Sequence, residues 1–331
     1  MSTESTQHDP SRLAVVGASS LLGKEIKDQL AASGFPGEAV TLFDLEELAG
    51  VLTDYGEEAR VFAETVTERV VHHELVCCVG DQSTAVDYLP AVLEAGSLGL
   101  DCTGAWLDDD RTFPWIPGTT APPGVENHRA IAIPDGASIL LGTTMAALGD
   151  LGAPVTANLF VPASELGNAG LQELLQQSTA VLNLHEVEIE VFDRQQAFDM
   201  WVPSPHRARS GERIGALLGR LDIRAPAINI VSAPVFHGMA MSMFVAGADA
   251  HGVAAALQAG GIQVAGAEAE QDPADSPARV VGRPGIHAIA VRQDAGGVWI
   301  WSVVDNLHAR AAAVVAAIHT LLGEPVSGAP Q

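Results

Sequence analysis

Short apolar runs punctuated by glycine, proline and aspartate alternate along the first half of the chain with stretches whose apolar residues recur at helical spacing. Residues 13–16, 40–43, 75–79, 98–102 and 130–133 are rich in β-formers and short enough for buried strands. Between the first two, Leu22, Ile26 and Leu30 mark one helical face; residues 84–95 read as a further helix that Gly96 stops. Such alternation predicts an open parallel sheet. Residues 108–124, rich in Pro and Asp, read as an excursion loop. After the turn Pro134-Asp135-Gly136, a small-residue helix leads to residue 151 and into a second domain. There, 154–161, 228–235, 241–245, 286–291 and 298–304 read as strands and 169–182 as an amphipathic helix. Residues 267–278 read as a polar linker, and 306–322 as an Ala-rich closing helix.

The stretch 13–30, LAVVGASSLLGKEIKDQL, organises the first half. A strand that turns sharply into a helix aims the first free N–H groups of that helix at one spot, where the helix dipole adds to them. This suits a pyrophosphate. Gly17 would let the backbone turn and approach, and Gly23 would let helix and strand pack closely, but Ser20 stands where the usual fingerprint has a further Gly. The candidate cofactor residues are Gly17, Ser19, Ser20, Leu21, Leu22, Gly23, Asp44, Gly80 and, from the start of the closing helix, Asn306. Asp44, followed by Glu46 and Glu47, suits a ribose hydroxyl pair and repels a 2′-phosphate, which favours NAD over NADP. A charged loop on an acidic surface with no cofactor is the competing reading.

Composition narrows the classes. The 331 residues allow two domains, and 47% apolar content with 5% aromatics means that Ala, Val, Leu and Ile must fill the cores. A net charge of −24, with Lys24 and Lys27 the only lysines, argues against nucleic-acid or anionic-membrane partners. Three cysteines, two of them adjacent (Cys77, Cys78, with Cys102), make no disulfide framework and fit a reducing cytoplasm. Residues 1–11 read as a disordered polar tail without a signal-peptide core, and no apolar stretch is long enough to span a membrane. His72, His73 and Glu74, and His185 with Glu186, lack metal-ligand spacing, so no metal is expected.

Several segments in order resemble the aspartate-semialdehyde dehydrogenase family, and more closely its paralogues that lack the catalytic cysteine. They are GASSLLG at 17–23, SELGNAGLQELLQQ at 164–177, FDRQQAFDM at 192–200, SAPVFHG at 232–238, VGR at 281–283 and WSVVDNLHARAA at 301–312. The resemblance implies a Rossmann-like dinucleotide-binding domain at 12–136, completed by the C-terminal helix at 305–325. It also implies an α+β dimerisation domain at 137–304 whose sheet packs in a homodimer. On that sheet Met241, Met243 and Val245 alternate as an apolar face that must be covered, by a second copy or by a helix of the same chain. Ser164 and Asn168 match a family loop near the cofactor.

The family's chemistry needs a Cys thiolate that attacks an aldehyde carbon, a His acid/base and an Arg for the substrate carboxylate. At the matching positions this chain has Gly136, Met239 and Ser232, and Leu107 stands where a phosphate-binding Arg is expected. His237 is a possible substitute, sharing a strand face with Met239. Cys77, Cys78 and Cys102 at strand ends, and Thr143 and Thr144 on a helix, read as packing. The first expectation is a cytoplasmic homodimer that has lost the ancestral reaction, holds a dinucleotide and serves as a regulator or partner subunit, with a small-molecule ligand or a protein as partner. The alternatives are a working aldehyde or semialdehyde oxidoreductase with rearranged groups and a ligand-free structural dimer.

Overall fold

The structure is a computed structural model that describes residues 11–122, 124, 128–149, 153–203, 211–265 and 276–324. Residues 1–10 of the tail expected at 1–11, the end of the small-residue helix at 151 and most of the polar linker at 267–278 lie outside the described residues. The chain divides into two compact units: one takes in 1–113, 123–132 and 314–331, the other 114–122 and 133–313.

The first unit runs β1 (Leu13–Val16), α1 (Leu21–Ala32), β2 (Val40–Asp44), a hairpin of β3 (Leu52–Tyr55) and β4 (Glu58–Val61), then β5 (Ala63–Glu64) and α2 (Thr67–Val70). It continues with β6 (Leu75–Cys78), α3 (Gln82–Glu94), β7 (Leu98–Asp101), β8 (Thr112–Pro114) and β9 (Ala130–Ala132). The sheet order is β5-β2-β1-β6-β7-β9-β8, with β5 through β9 pairing in parallel. This is a Rossmann-like sheet. Strand β1 lies between β2 and β6 and is buried on both faces, which is why LAVV carries no polar residue. The hairpin stands outside this sheet; its polar, glycine-containing sequence hides its strands from a hydrophobic reading. The excursion loop contains β8.

The second unit begins with α4 (Gly136–Leu148), β10 (Val155–Val161), α5 (Gly167–Leu182), α6 (Gly211–Arg220), β11 (Ala227–Ser232) and β12 (Met239–Ala246). It ends with α7 (Ala250–Ala259), β13 (Gln263–Val264), α8 (Pro277–Val280), β14 (Ile286–Asp294), β15 (Gly297–Val304) and the start of α9 (Asn306–Leu322). The mixed sheet has the order β11-β10-β12-β15-β14-β13. Helix α4 is apolar nearly all round, and α4, α6 and α7 cover one sheet face. Met241, Met243 and Val245 point into that core and are fully buried. Their alternation is therefore satisfied within the chain and leaves no apolar row for a second copy. The opposite face carries two aromatic pairs, Phe160 with Trp301 and Phe244 with Trp299, all half-buried. Strand β11 stops at Ser232, three residues short of the expected end, ahead of Pro234.

Candidate functional site

At the β1–α1 turn, Gly17 has φ +84°, and a β-carbon there would stand 2.3 Å from the Val79 carbonyl oxygen. Glycine is thus required by the close approach of the chain leaving β6 and not only by a ligand. Gly23 packs on the Gly17 and Ala18 carbonyls, where a β-carbon would come within 2.7 Å. Ser20 caps α1 by accepting from Gly23 N–H at 3.1 Å. Leu21 and Leu22 supply the remaining first-turn donors. Gly80, at φ +89°, lies beside Ser20. Asp44 ends β2 almost buried; its carboxylate accepts from Ser19 N–H at 2.6 Å and Leu45 N–H at 2.9 Å. The turn therefore fits a diphosphate at the helix start, with the Asp44 carboxylate beside it.

The loop after β7 is closed on itself. Fully buried Asp101 accepts from Thr103 N–H and Thr103 Oγ1 (both 2.7 Å), Gly104 N–H (3.2 Å) and Trp106 N–H (2.8 Å). Leu107 follows this knot. Cys77, Cys78 and Cys102 are buried, with Cys77 and Cys102 sulfurs 3.7 Å apart. Burial pushes the Cys78 thiol well above its ordinary range, with Asp101 adding to it, so this thiol is packing rather than a nucleophile. His73 donates from Nδ1 to Val70 O and bonds Thr41 Oγ1 through Nε2, and Glu74 pairs with Arg12. His185 and Glu186 are exposed, and no metal-binding cluster occurs among the described residues.

In the second unit, four chain segments meet around the start of α4. Asp135 caps this helix by accepting from Ser138 N–H at 2.8 Å, and Gly136 is its first residue. A β-carbon on Gly136 would lie 2.7 Å from Glu165 Oε1 and 3.0 Å from the Asn306 β-carbon. Asn306 is fully buried; its amide donates to Glu165 Oε1 (2.7 Å) and Ser164 Oγ (3.1 Å), and its oxygen accepts from Gly238 N–H (3.1 Å). Asp305 holds the start of α9 by accepting from Leu307 and His308 N–H. Asn306, one of the candidate cofactor residues, thus spends its amide on protein groups.

No family model matches the chain. At 24% identity over 184 residues it is similar to the aspartate-semialdehyde dehydrogenase of Bacillus subtilis (strain 168), with 54% of this chain and 52% of that one covered. The match spans about half the length of that relative. Among solved structures, aspartate semialdehyde dehydrogenase II complexed with ASA from Vibrio cholerae superposes with a TM-score of 0.80 at 22% identity, over 94% of this chain and 97% of that one. The aspartate semialdehyde dehydrogenase with NADP from Candida albicans gives 0.65 at 12% identity, over 94% and 99%. The chain shares the fold of these aspartate-semialdehyde dehydrogenases over nearly its whole length and is similar to them in sequence over about half of it.

Gly136, the position that the sequence resemblance matches to the nucleophile, lies beside the Glu165–Asn306 pair. Met239 opens β12 fully buried in the apolar core. His237 does not share a strand face with it. Gly238 between them has φ +82°, so the two-residue alternation is broken, and a β-carbon there would lie 2.1 Å from the Pro277 carbonyl oxygen, which leaves room for glycine alone. Ser232 ends β11 and donates to Gln196 Oε1 at 2.6 Å. Thr144 bonds the Leu140 carbonyl within α4, a packing role. Ser164 sits in the Asn306 knot, whereas Asn168 lies in the exposed first turn of α5. Glu165 is the residue that the sequence reading passed over; the one available signal was a carboxylate inside an otherwise small and apolar segment.

Proposed function

We propose that this semialdehyde-dehydrogenase relative holds a nicotinamide dinucleotide, NAD in preference to NADP, at the β1–α1 turn, without the family's thiolate reaction. The observation that carries the reading is the Glu165 carboxylate, tied to Asn306, lying 2.7 Å from where a β-carbon on residue 136 would stand. A bound nicotinamide would supply a hydride acceptor. At the positions implied by the resemblance, Gly136, Met239 and Ser232 supply no thiolate, no proton shuttle and no cation for a substrate carboxylate. Removing a nucleophile alone costs several orders of magnitude in rate.

The reading extends to a cytoplasmic homodimer, supported by the open sheet face with its Phe160–Trp301 and Phe244–Trp299 pairs. Half-exposed aromatics on one sheet face are suited to burial against a second sheet. Calorimetric titration with NAD and NADP tests the ligand. A phosphate-dependent assay with aspartate semialdehyde tests the chemistry. Turnover within about tenfold of a median enzyme rate of roughly ten per second would overturn the non-catalytic reading.

A further inference from the structure

One buried amide in the second unit lacks an acceptor. Gln196 is fully buried, and its backbone N–H is fixed by Gln177 Oε1 at 2.6 Å. Its side-chain oxygen accepts from Trp201 Nε1 at 2.8 Å and from Ser232 Oγ at 2.6 Å. The indole N–H can only donate, so the oxygen end of the amide is settled and the NH2 end cannot be exchanged for it. That Nε2 has no hydrogen-bond partner. Two donations to the oxygen polarise the amide and strengthen its N–H groups as donors. Leaving such a donor buried and unmade opposes folding.

The same indole carries a second donor. The Arg194 guanidinium lies over the Trp201 ring, 5.3 Å from the centroid, and is exposed. In a chain with 41 acidic and 17 basic residues, Arg194 forms no ion pair among the described residues. A planar cation held on an aromatic face and a locked amide donor at that ring's edge together match a planar oxyanion. We propose that Gln196, Arg194 and Trp201 form a subsite for the carboxylate of a small molecule. Gln196 supplies the neutral donor, Arg194 the charge, and Trp201 holds both. The subsite lies wholly in the second unit and does not depend on dinucleotide binding at the β1–α1 turn.

Succinate and acetate, titrated at fixed ionic strength into the full-length protein, test this through tryptophan fluorescence and the side-chain amide resonances. The expected result is a saturable change with a Kd near about 1 mM, including a shift of one amide pair that is missing in Gln196→Met. Arg194→Met should weaken the response at least tenfold, and Trp201→Phe should remove the fluorescence change. Arg111→Met, which alters an arginine already paired with Asp109, should leave it intact. Because Arg194 is exposed, its variant keeps the test valid if Gln196→Met fails to fold. No saturable response, one undiminished in Arg194→Met, or one that appears only on raising the protein concentration would each overturn the subsite.

Discussion

Glu165 Oε1 lies 2.7 Å from the place where a β-carbon on Gly136 would stand, and the same oxygen accepts from the Asn306 amide. A side chain on residue 136 would have to displace this carboxylate, which the buried Asn306 amide holds in place. On the proposed reading, a thiol at residue 136 alone is therefore not enough.

Gly136→Cys should give no recovery of semialdehyde oxidation and should lower stability by about 1–3 kcal/mol, the usual cost of forcing atoms into a packed site. Gly136→Ala should behave alike in urea unfolding. Combining it with Glu165→Ala should recover part of the loss, since contacting residues couple. Strictly additive losses would show that the two side chains do not compete for the same space.

At the β1–α1 turn, NAD should bind at least about tenfold more tightly than NADP, roughly 1.4 kcal/mol. The reason is the buried Asp44 carboxylate, next to exposed Glu46 and Glu47. Asp44→Ser should narrow or reverse the preference. It should also destabilise the protein, because Ser19 N–H loses its acceptor. Calorimetry showing NADP bound more tightly by the unaltered protein would refute the assignment.

Stability should fall on acidification. Burial lowers the imidazole pKa values of His73 and His319 below their ordinary 6.5. His73 is held by Val70 O and Thr41 Oγ1 against the edge of Phe43, and His319 by Ser33 against Phe35. The unfolded chain takes up these protons first, so the stabilisation is complete above about pH 6.5 and is lost as the pH falls through the lowered folded values. Urea midpoints measured at about pH 7.5 and about pH 5.5 should show this drop, and His73→Gln should reduce it. An identical pH slope in the variant would remove His73 from the account.

The proposed dimer predicts that a charge on the open sheet face separates the copies. Trp301→Glu, opposite Ser242 across the β12–β15 pairing, should give a monomer in light scattering at micromolar concentration, with the circular dichroism of the unaltered protein. An unaltered protein that is itself monomeric would contradict the interface.

Local pattern was enough for much of this architecture. The apolar run of β1, its glycine turn and the spacing of α1 follow from nearest-neighbour chemistry, and α9 runs from Asn306 to Leu322 as its composition predicts. What the sequence could not settle is what lies across from each face. Alternation in β12 shows that Met241 and Met243 are covered, but a period of two does not say whether by the chain's own helices or by another copy; the packing of α4 and α7 decided that. The relation of His237 to Met239 turned on the left-handed backbone at Gly238, where the distant Pro277 leaves no room for a side chain. Asn306 reaches Ser164 across 142 positions of sequence, and Gln196 reaches Ser232 across 36. Such pairings depend on the closing of long loops around a common core, for which no local propensity carries a signal.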